Sequence, residues 1–365
     1  MALIKSGTGR RSIRLVQAPT YVLLLAFFIC APCLAGQTDA TQLPALRVGV
    51  IGLDTSHSIA FTEVLHDPQG IPALAGFRVV AAYPGGSADI PQSIGRVAGF
   101  TQKMRDMNIE IVGSVESLLE RVDVVLLESM DGRVHLDQAL AVIRSGKPVF
   151  IDKPFASSLP DILLITRAAR ERGVPVFSSS PLRYAANAQA AREGRFGAVT
   201  GADTYSPAIL EPNHPDLFWY GIHGVESLFT IMGTGCESVA RLHTGGADIV
   251  VGTWPGGRMG VFRGLRQSAL GYGGTLYTDK EIVTIGPYGG YRPLVIKIAE
   301  FFRTGVAPVS LEETIEIYAF MAAADESKRR GGAPVKVSDV LDDATRVAAG
   351  RWRNIQSQLD RTTTD

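Results

Sequence analysis

With 365 residues, 46% apolar and 20% charged, the chain can bury a sizeable core and is expected to divide into two domains. Its 36 basic residues balance 36 acidic ones, which leaves no electrostatic footprint for a nucleic-acid partner. Of three cysteines, Cys30 and Cys33 lie near the N-terminus, so Cys236 is otherwise alone and neither a disulfide framework nor a cysteine metal site is available.

Residues 1–35 carry Lys5, Arg10, Arg11 and Arg14 but no acid; without them, 32 basic residues face 36 acidic ones. An apolar run at 22–30, then Cys33-Leu34-Ala35 before Gly36, completes the pattern of an export signal. The run is short, and Gln17 and Pro19 interrupt its approach, which disfavours a membrane span; a retained single-helix anchor is the alternative. Gly9-Arg10-Arg11-Ser12-Ile13-Arg14 resembles a twin-arginine signal, the route for proteins exported already folded, and points to the periplasm. Any membrane contact is expected through this segment alone. Residues 36–45 read as a polar linker.

An apolar run at 46–51 leads through Gly52-Leu53-Asp54-Thr55-Ser56-His57 into a helical pattern at 59–65. Strand, glycine turn and helix open a dinucleotide-binding unit, but only Gly52 fits the G-x-G-x-x-G pattern. Asp54 and His57 stand where the second and third glycines belong, and a carboxylate there repels phosphate. Thr55 and Ser56 offer hydroxyl donors in part compensation. The second strand, 77–83, ends in Tyr83-Pro84-Gly85-Gly86-Ser87, without the usual ribose-binding acid. The competing reading is a helix cap by Asp54, Thr55 or Ser56 in a sheet that binds nothing.

Residues 123–128 read as a buried strand and 135–145 as an amphipathic helix capped by Gly146. The strand at 148–151 ends on Asp152-Lys153-Pro154, and Pro154 biases Lys153 away from the helical region. The Asp152–Lys153 pair is thus expected at a strand's carboxyl end, able to hold or move a substrate proton, or else to form a surface ion pair. A helix at 159–172 and a strand at 174–178 complete an α/β, Rossmann-like doubly wound parallel sheet over 46–180. Beyond Pro181, a helix at 184–193 precedes strand-like segments at 199–205, 238–242, 248–253, 258–265, 274–277 and 281–285. These predict an α+β domain, 181–337, with a largely antiparallel open sheet and closing helices at 293–303 and 311–329. Residues 338–365 are expected to form a C-terminal tail.

Three stretches together resemble the glucose–fructose oxidoreductase/inositol dehydrogenase (Gfo/Idh/MocA) family. They are 135–156, with its His, Ala-Leu, Ser-Gly-Lys and Asp-Lys-Pro; 192–199, Arg-Glu-Gly-Arg-Phe-Gly-Ala-Val; and Glu312-Glu313 with 326–331. The resemblance implies a Rossmann domain, a substrate domain whose open sheet often mediates homo-oligomers, and NAD- or NADP-linked oxidation of a sugar or cyclitol hydroxyl. It implies a cofactor over Gly52, Asp54, Thr55, Ser56 and His57, with Glu128, His135 and Lys153 beside it. Lys153 matches the family's lysine that orients substrate and helps move its proton. His223 matches the active-site histidine. Departures are Trp219, where the dehydrogenases usually carry Asp four residues before that histidine, and Glu226, for another common Asp three residues after it.

His223 can exchange a proton near neutrality and so act as a general base, or be hydrogen-bonded in a core helix. If 222–229 is helical, His223 and Glu226 share a face; Glu226 then orients the imidazole, or the two ligate a metal with His214, Asp216 or Glu211. Arg183 and Tyr184 are placed to line the cleft, although Arg183 equally suits pairing with a surface acid. Trp219 and Tyr220 offer faces on which a sugar ring can stack, or plain packing. The favoured reading is an exported oxidoreductase that keeps its nucleotide tightly bound, because free NAD(P) is not expected outside the cytoplasm. The alternatives are a lyase or hydrolase of keto-sugars, metal-assisted at His214, His223 and Glu226, and a catalytically silent sugar-binding protein.

Overall fold

Short, mostly apolar runs build the first sheet in the computed structural model, and three of them, β1, β4 and β5, stop at Gly52, Glu128 and Asp152. The structure describes residues 45–360; the expected export signal and almost all of the expected linker lie outside them. Chain order runs β1 (Leu46–Ile51), α1 (Ser56–His66), β2 (Phe77–Tyr83), α2 (Pro91–Asp106), β3 (Glu110–Ile111), α3 (Val115–Leu119), β4 (Val124–Leu127), α4 (His135–Arg144), β5 (Val149–Ile151), α5 (Leu159–Arg172) and β6 (Val176–Phe177). The strands are parallel in the order β3-β2-β1-β4-β5-β6. Strand order reverses between β1 and β4, and a crevice at the strands' carboxyl ends follows there. No expectation attached to α2, whose mostly polar residues bury only Ser93, Thr101 and Met104.

Gly52 closes β1 at φ +94°, and a Cβ built on it would lie 2.3 Å from the backbone nitrogen of Ser129. Left-handed backbone and a backbone clash together set a cost of about 2–4 kcal/mol for Gly52→Ala, to be read from the urea midpoint.

The second half consists of α6 (Ala186–Arg192), β7 (Val199–Pro207), α7 (Asp216–Trp219), α8 (Ile222–Met232), β8 (Ser238–His243), β9 (Ala247–Trp254), β10 (Arg258–Leu265), β11 (Gly273–Thr278), β12 (Ile282–Ile285), α9 (Arg292–Thr304), α10 (Leu311–Arg329), β13 (Val335–Lys336) and α11 (Val337–Asp360). Its sheet runs β12-β11-β7-β10-β9-β8-β13; β7 and β10 pair in parallel and the other pairs are antiparallel. Every residue of α8 is buried, and the helix lies so close to the sheet that a Cβ on Gly224 would meet the Phe262 ring at 2.4 Å.

Two late helices return to the first half of the chain, α9 to its sheet and α11 to its helix α5. One sheet face packs Val50, Leu126, Phe150 and Phe177 against Phe61 of α1 and Ile298 and Phe301 of α9. The ring centroids of Phe150 and Phe177 are 5.0 Å apart, and those of Phe177 and Phe301 are 4.9 Å apart. Each such buried ring contributes about 1.5–3 kcal/mol of transfer free energy. Residues 338–365, expected as a tail, are instead helix α11 as far as Asp360. Ala344, Ala348, Trp352, Ile355 and Leu359 recur at helical spacing and are buried, with Arg167 of α5 stacked 3.9 Å over the Trp352 ring. A buried face of this kind needs a partner helix, and α5 supplies it.

Candidate active site

The crevice beyond β1, β4 and β5 opens into a partly enclosed cavity lined by residues from both halves of the chain. Thr55, Ser56 and His57 reach it from the start of α1, and Gln92 and Arg96 from α2. Lys153 comes from the end of β5, and Trp219, Tyr220 and His223 from α7 and the start of α8. Tyr272, Tyr288 and Tyr291 close it from the loops around β11, β12 and α9.

His223 stands in the first turn of α8, where the helix runs beneath the cavity. Its Nδ1 pairs with Ser180 Oγ at 2.7 Å, leaving Nε2 as the ring nitrogen without a hydrogen-bond partner among the described residues. Tyr220 and Tyr272 meet the imidazole edge-on, with centroids 5.4 and 6.1 Å away. Burial, reinforced by the positive charge of Lys153, holds the His223 pKa well below its ordinary value, so the ring is neutral near pH 7. Lys153 itself lies 5.7 Å from the centroid of the Tyr220 ring. Burial raises the phenol pKa values of Tyr272, Tyr288 and Tyr291, which makes all three neutral donors at the cavity wall.

Asp152 is buried beneath this floor, with His57 Nδ1 2.8 Å from its Oδ2. Burial alone would raise its pKa, but His57 and Lys153 outweigh it and hold the group below the usual carboxylate range. His57 stacks on Phe61 at 5.1 Å and meets Tyr291 edge-on at 4.8 Å. Thr55 caps α1 by accepting the His57 amide at 3.3 Å. Glu128, at the end of β4, is fully buried, and burial followed by the neighbouring Asp152 drives its pKa well above the ordinary value.

Asp54 does not turn toward the cavity. The Met130 amide donates to its Oδ1 at 3.0 Å and the Ser93 hydroxyl to its Oδ2 at 2.8 Å. It therefore ties the first turn to the β4 loop and α2. The backbone of the β2 loop also closes on the glycine turn, with the Gly52 and Leu53 amides donating to the carbonyls of Tyr83 and Pro84. His135 is a similar brace, its ring nitrogens 2.7 Å from the Ser129 carbonyl and 3.3 Å from that of Phe155.

Other candidates are placed apart from the cavity wall. Arg183 is buried, donating to Glu226 Oε1 at 2.6 Å and to Glu313 Oε1 at 2.8 Å. Glu226 also accepts from Ser179 Oγ at 2.9 Å. Tyr184 follows Arg183 in a 3₁₀ turn and lines a separate surface hollow beside Arg192. His214 Nε2 lies 3.0 Å from the Gly132 amide and 3.2 Å from Asp131 Oδ1, against Trp219. His214, His223 and Glu226, considered together as metal ligands from the sequence, thus each face different partners. Sequence reasoning passed over Gln92, Arg96 and the three tyrosines. A usable signal was there, since Tyr272 and the Tyr288/Tyr291 pair sit in glycine-rich loops where large aromatic residues have no obvious core to fill.

Residues 46–180 match the family model GFO_IDH_MocA, described as an oxidoreductase family with an NAD-binding Rossmann fold. These residues belong to the Gfo/Idh/MocA family. Over 107 residues the chain is 38% identical to 1,5-anhydro-D-fructose reductase of Ensifer adhaerens, covering 28% of this chain and 32% of that protein. Over 131 residues it is 30% identical to inositol 2-dehydrogenase 3 of Saccharopolyspora erythraea, covering 35% of this chain and 33% of that one. The match thus spans about a third of the length of these Gfo/Idh/MocA relatives. A probable dehydrogenase from Thermotoga maritima superposes with a TM-score of 0.66 at 20% identity, over 81% of this chain and all of that one. Scyllo-inositol dehydrogenase from Lactobacillus casei, solved with NAD(H) and scyllo-inositol, gives 0.61 at 14% identity, over 80% and 99%. At these identities the superpositions speak for the shared two-domain fold.

Proposed function

We propose that this protein is an exported oxidoreductase that moves a hydride between NAD(P) and a hydroxyl-bearing carbon of a sugar or cyclitol, and that it keeps its nucleotide tightly bound. One observation supports this above others: Lys153, His223 and the opening turn of α1, far apart in sequence, line a single cavity. The cavity's donors fit a dinucleotide's phosphates. The first-turn amides of α1 other than that of His57, which Thr55 caps, have no intrahelical partners, as at any helix start, and Arg96 brings a guanidinium to the same wall. A nicotinamide bound there supplies the hydride acceptor.

The chain's own groups do the rest. His223, neutral and with Nδ1–H given to Ser180, takes the hydroxyl proton at Nε2. The Lys153 ammonium stabilises charge developing on that oxygen. Trp219 and Tyr220 provide apolar faces for the ring, and the tyrosine phenols provide hydroxyl partners. Export rests on the pattern of residues 1–35. Exposed Leu242, Met259 and Ile282, all on strands of the second sheet, support association into a homo-oligomer.

The test is to denature protein purified without added nucleotide and analyse the released small molecules by mass spectrometry. A stoichiometric amount of NAD(H) or NADP(H) is expected. Folded protein that releases none and binds neither nucleotide at millimolar concentration overturns the reading.

A further inference from the structure

The three parallel strands that frame the crevice bring a second set of groups together just below it. His57 occupies the position at which the dinucleotide motif would have its third glycine, and its ring reaches down toward the sheet. Glu128 follows β4 and Asp152 follows β5 on the same sheet face as Leu126 and Phe150. One potential ligand atom from each of His57, Glu128 and Asp152 lies within 4.8 Å of the other two. All three residues are buried, Glu128 completely.

The unusual feature is what these carboxylates lack. Neither oxygen of Glu128 and not Oδ1 of Asp152 finds a hydrogen-bond donor among the described residues. A buried carboxylate with no donor is costly, and interiors rarely keep one without a ligand or ion to satisfy it.

We propose that His57, Glu128 and Asp152 form a binding site for one divalent metal ion. One imidazole nitrogen and two carboxylates suit zinc or manganese better than a purely oxygen-seeking ion such as calcium. Bonds of about 2.0–2.2 Å require the ligand atoms to draw together slightly from their present spacing, a movement within reach of side-chain torsions. Because His57 also lines the cavity, the ion would border the substrate site. The inference does not depend on the nucleotide, since the hydride-transfer reading above assigns no role to these three side chains.

Chelator-treated, dialysed full-length protein should be titrated with Zn²⁺ and Mn²⁺, following heat by calorimetry and the Mn²⁺ spectrum by electron paramagnetic resonance. One ion per chain is expected, at micromolar or tighter affinity. Glu128→Gln and Asp152→Asn should each weaken it at least tenfold while circular dichroism shows the fold retained. The proposal is overturned if neither ion binds the wild type at millimolar concentration, or if a folded Glu128→Gln protein binds as tightly. Either result leaves two carboxyl groups sharing a proton. Nucleotide content of the same preparations keeps the two readings separate, because ion binding with no nucleotide refutes only the oxidoreductase.

Discussion

Replacing His223 by Gln is expected to lower kcat by about 10²–10⁴-fold, the usual worth of a positioned general base, while the melting temperature changes little. Gln fills similar space and can keep the bond to Ser180, but it cannot accept a proton. The pH profile sharpens the point. Burial and Lys153 hold the wild-type imidazole well below its ordinary pKa, so the active neutral form persists from pH 7 down past the range where a free histidine titrates. Wild-type kcat should therefore stay level between pH 7 and the unperturbed histidine value near ~6.5, and fall only in more acid solution. Lys153→Met removes the neighbouring positive charge, raises the His223 pKa and should shift that acid limb upward, in addition to slowing turnover. A His223→Gln enzyme with unchanged kcat, or a wild-type profile already falling at pH 7, would remove the base from this residue.

Arg183→Met carries the largest expected loss of stability, about 3–5 kcal/mol, because it strands a buried carboxylate. The guanidinium lies between Glu226 and Glu313, and all three groups are almost fully removed from solvent. Glu313 would keep Arg192, which binds it through both oxygens from a partly exposed position. Glu226 would retain only the Ser179 hydroxyl. The double variant Arg183→Met/Glu226→Gln should then recover a good part of the loss, since no unpaired charge remains. Urea denaturation of the two variants measures this, and a single-variant loss below about 1 kcal/mol would mean that water reaches the site. The triad joins the 3₁₀ turn after β6 to α8 and α10, so it fixes the helix on which His223 stands.

How far the site was legible from sequence varies residue by residue. Asp152 and Lys153 announced themselves through a β-branched run broken by proline, and β5 ends just before them. His223 fell at the start of a helix whose apolar residues recur all round, and α8 is buried on every side. By contrast, Arg183 suited either a cleft or a surface acid, and it took neither place. Its partners stand 43 and 130 residues away, so nothing local marks it as buried. Asp54 looked like an obstacle to phosphate, and its carboxylate instead turns inward to donors on a loop and a helix far along the chain.

The sequence by itself determined most of the elements, though not α2, β3, α3 or α11, and the chemistry available at their ends. Periodicity of 2 or 3.6 and glycine or proline stops are properties of neighbouring residues, and they specify strands, helices and turns wherever burial follows locally. Only the tertiary structure decided which charges lie inside and against what. The pairing of His57 with Asp152 across a separation of 95 positions, the packing of α9 on the first sheet and of α11 on α5, and the tyrosine wall of the cavity all depend on long-range packing. The free energy of a buried charge is set by its surroundings in space, which short-range pattern does not encode.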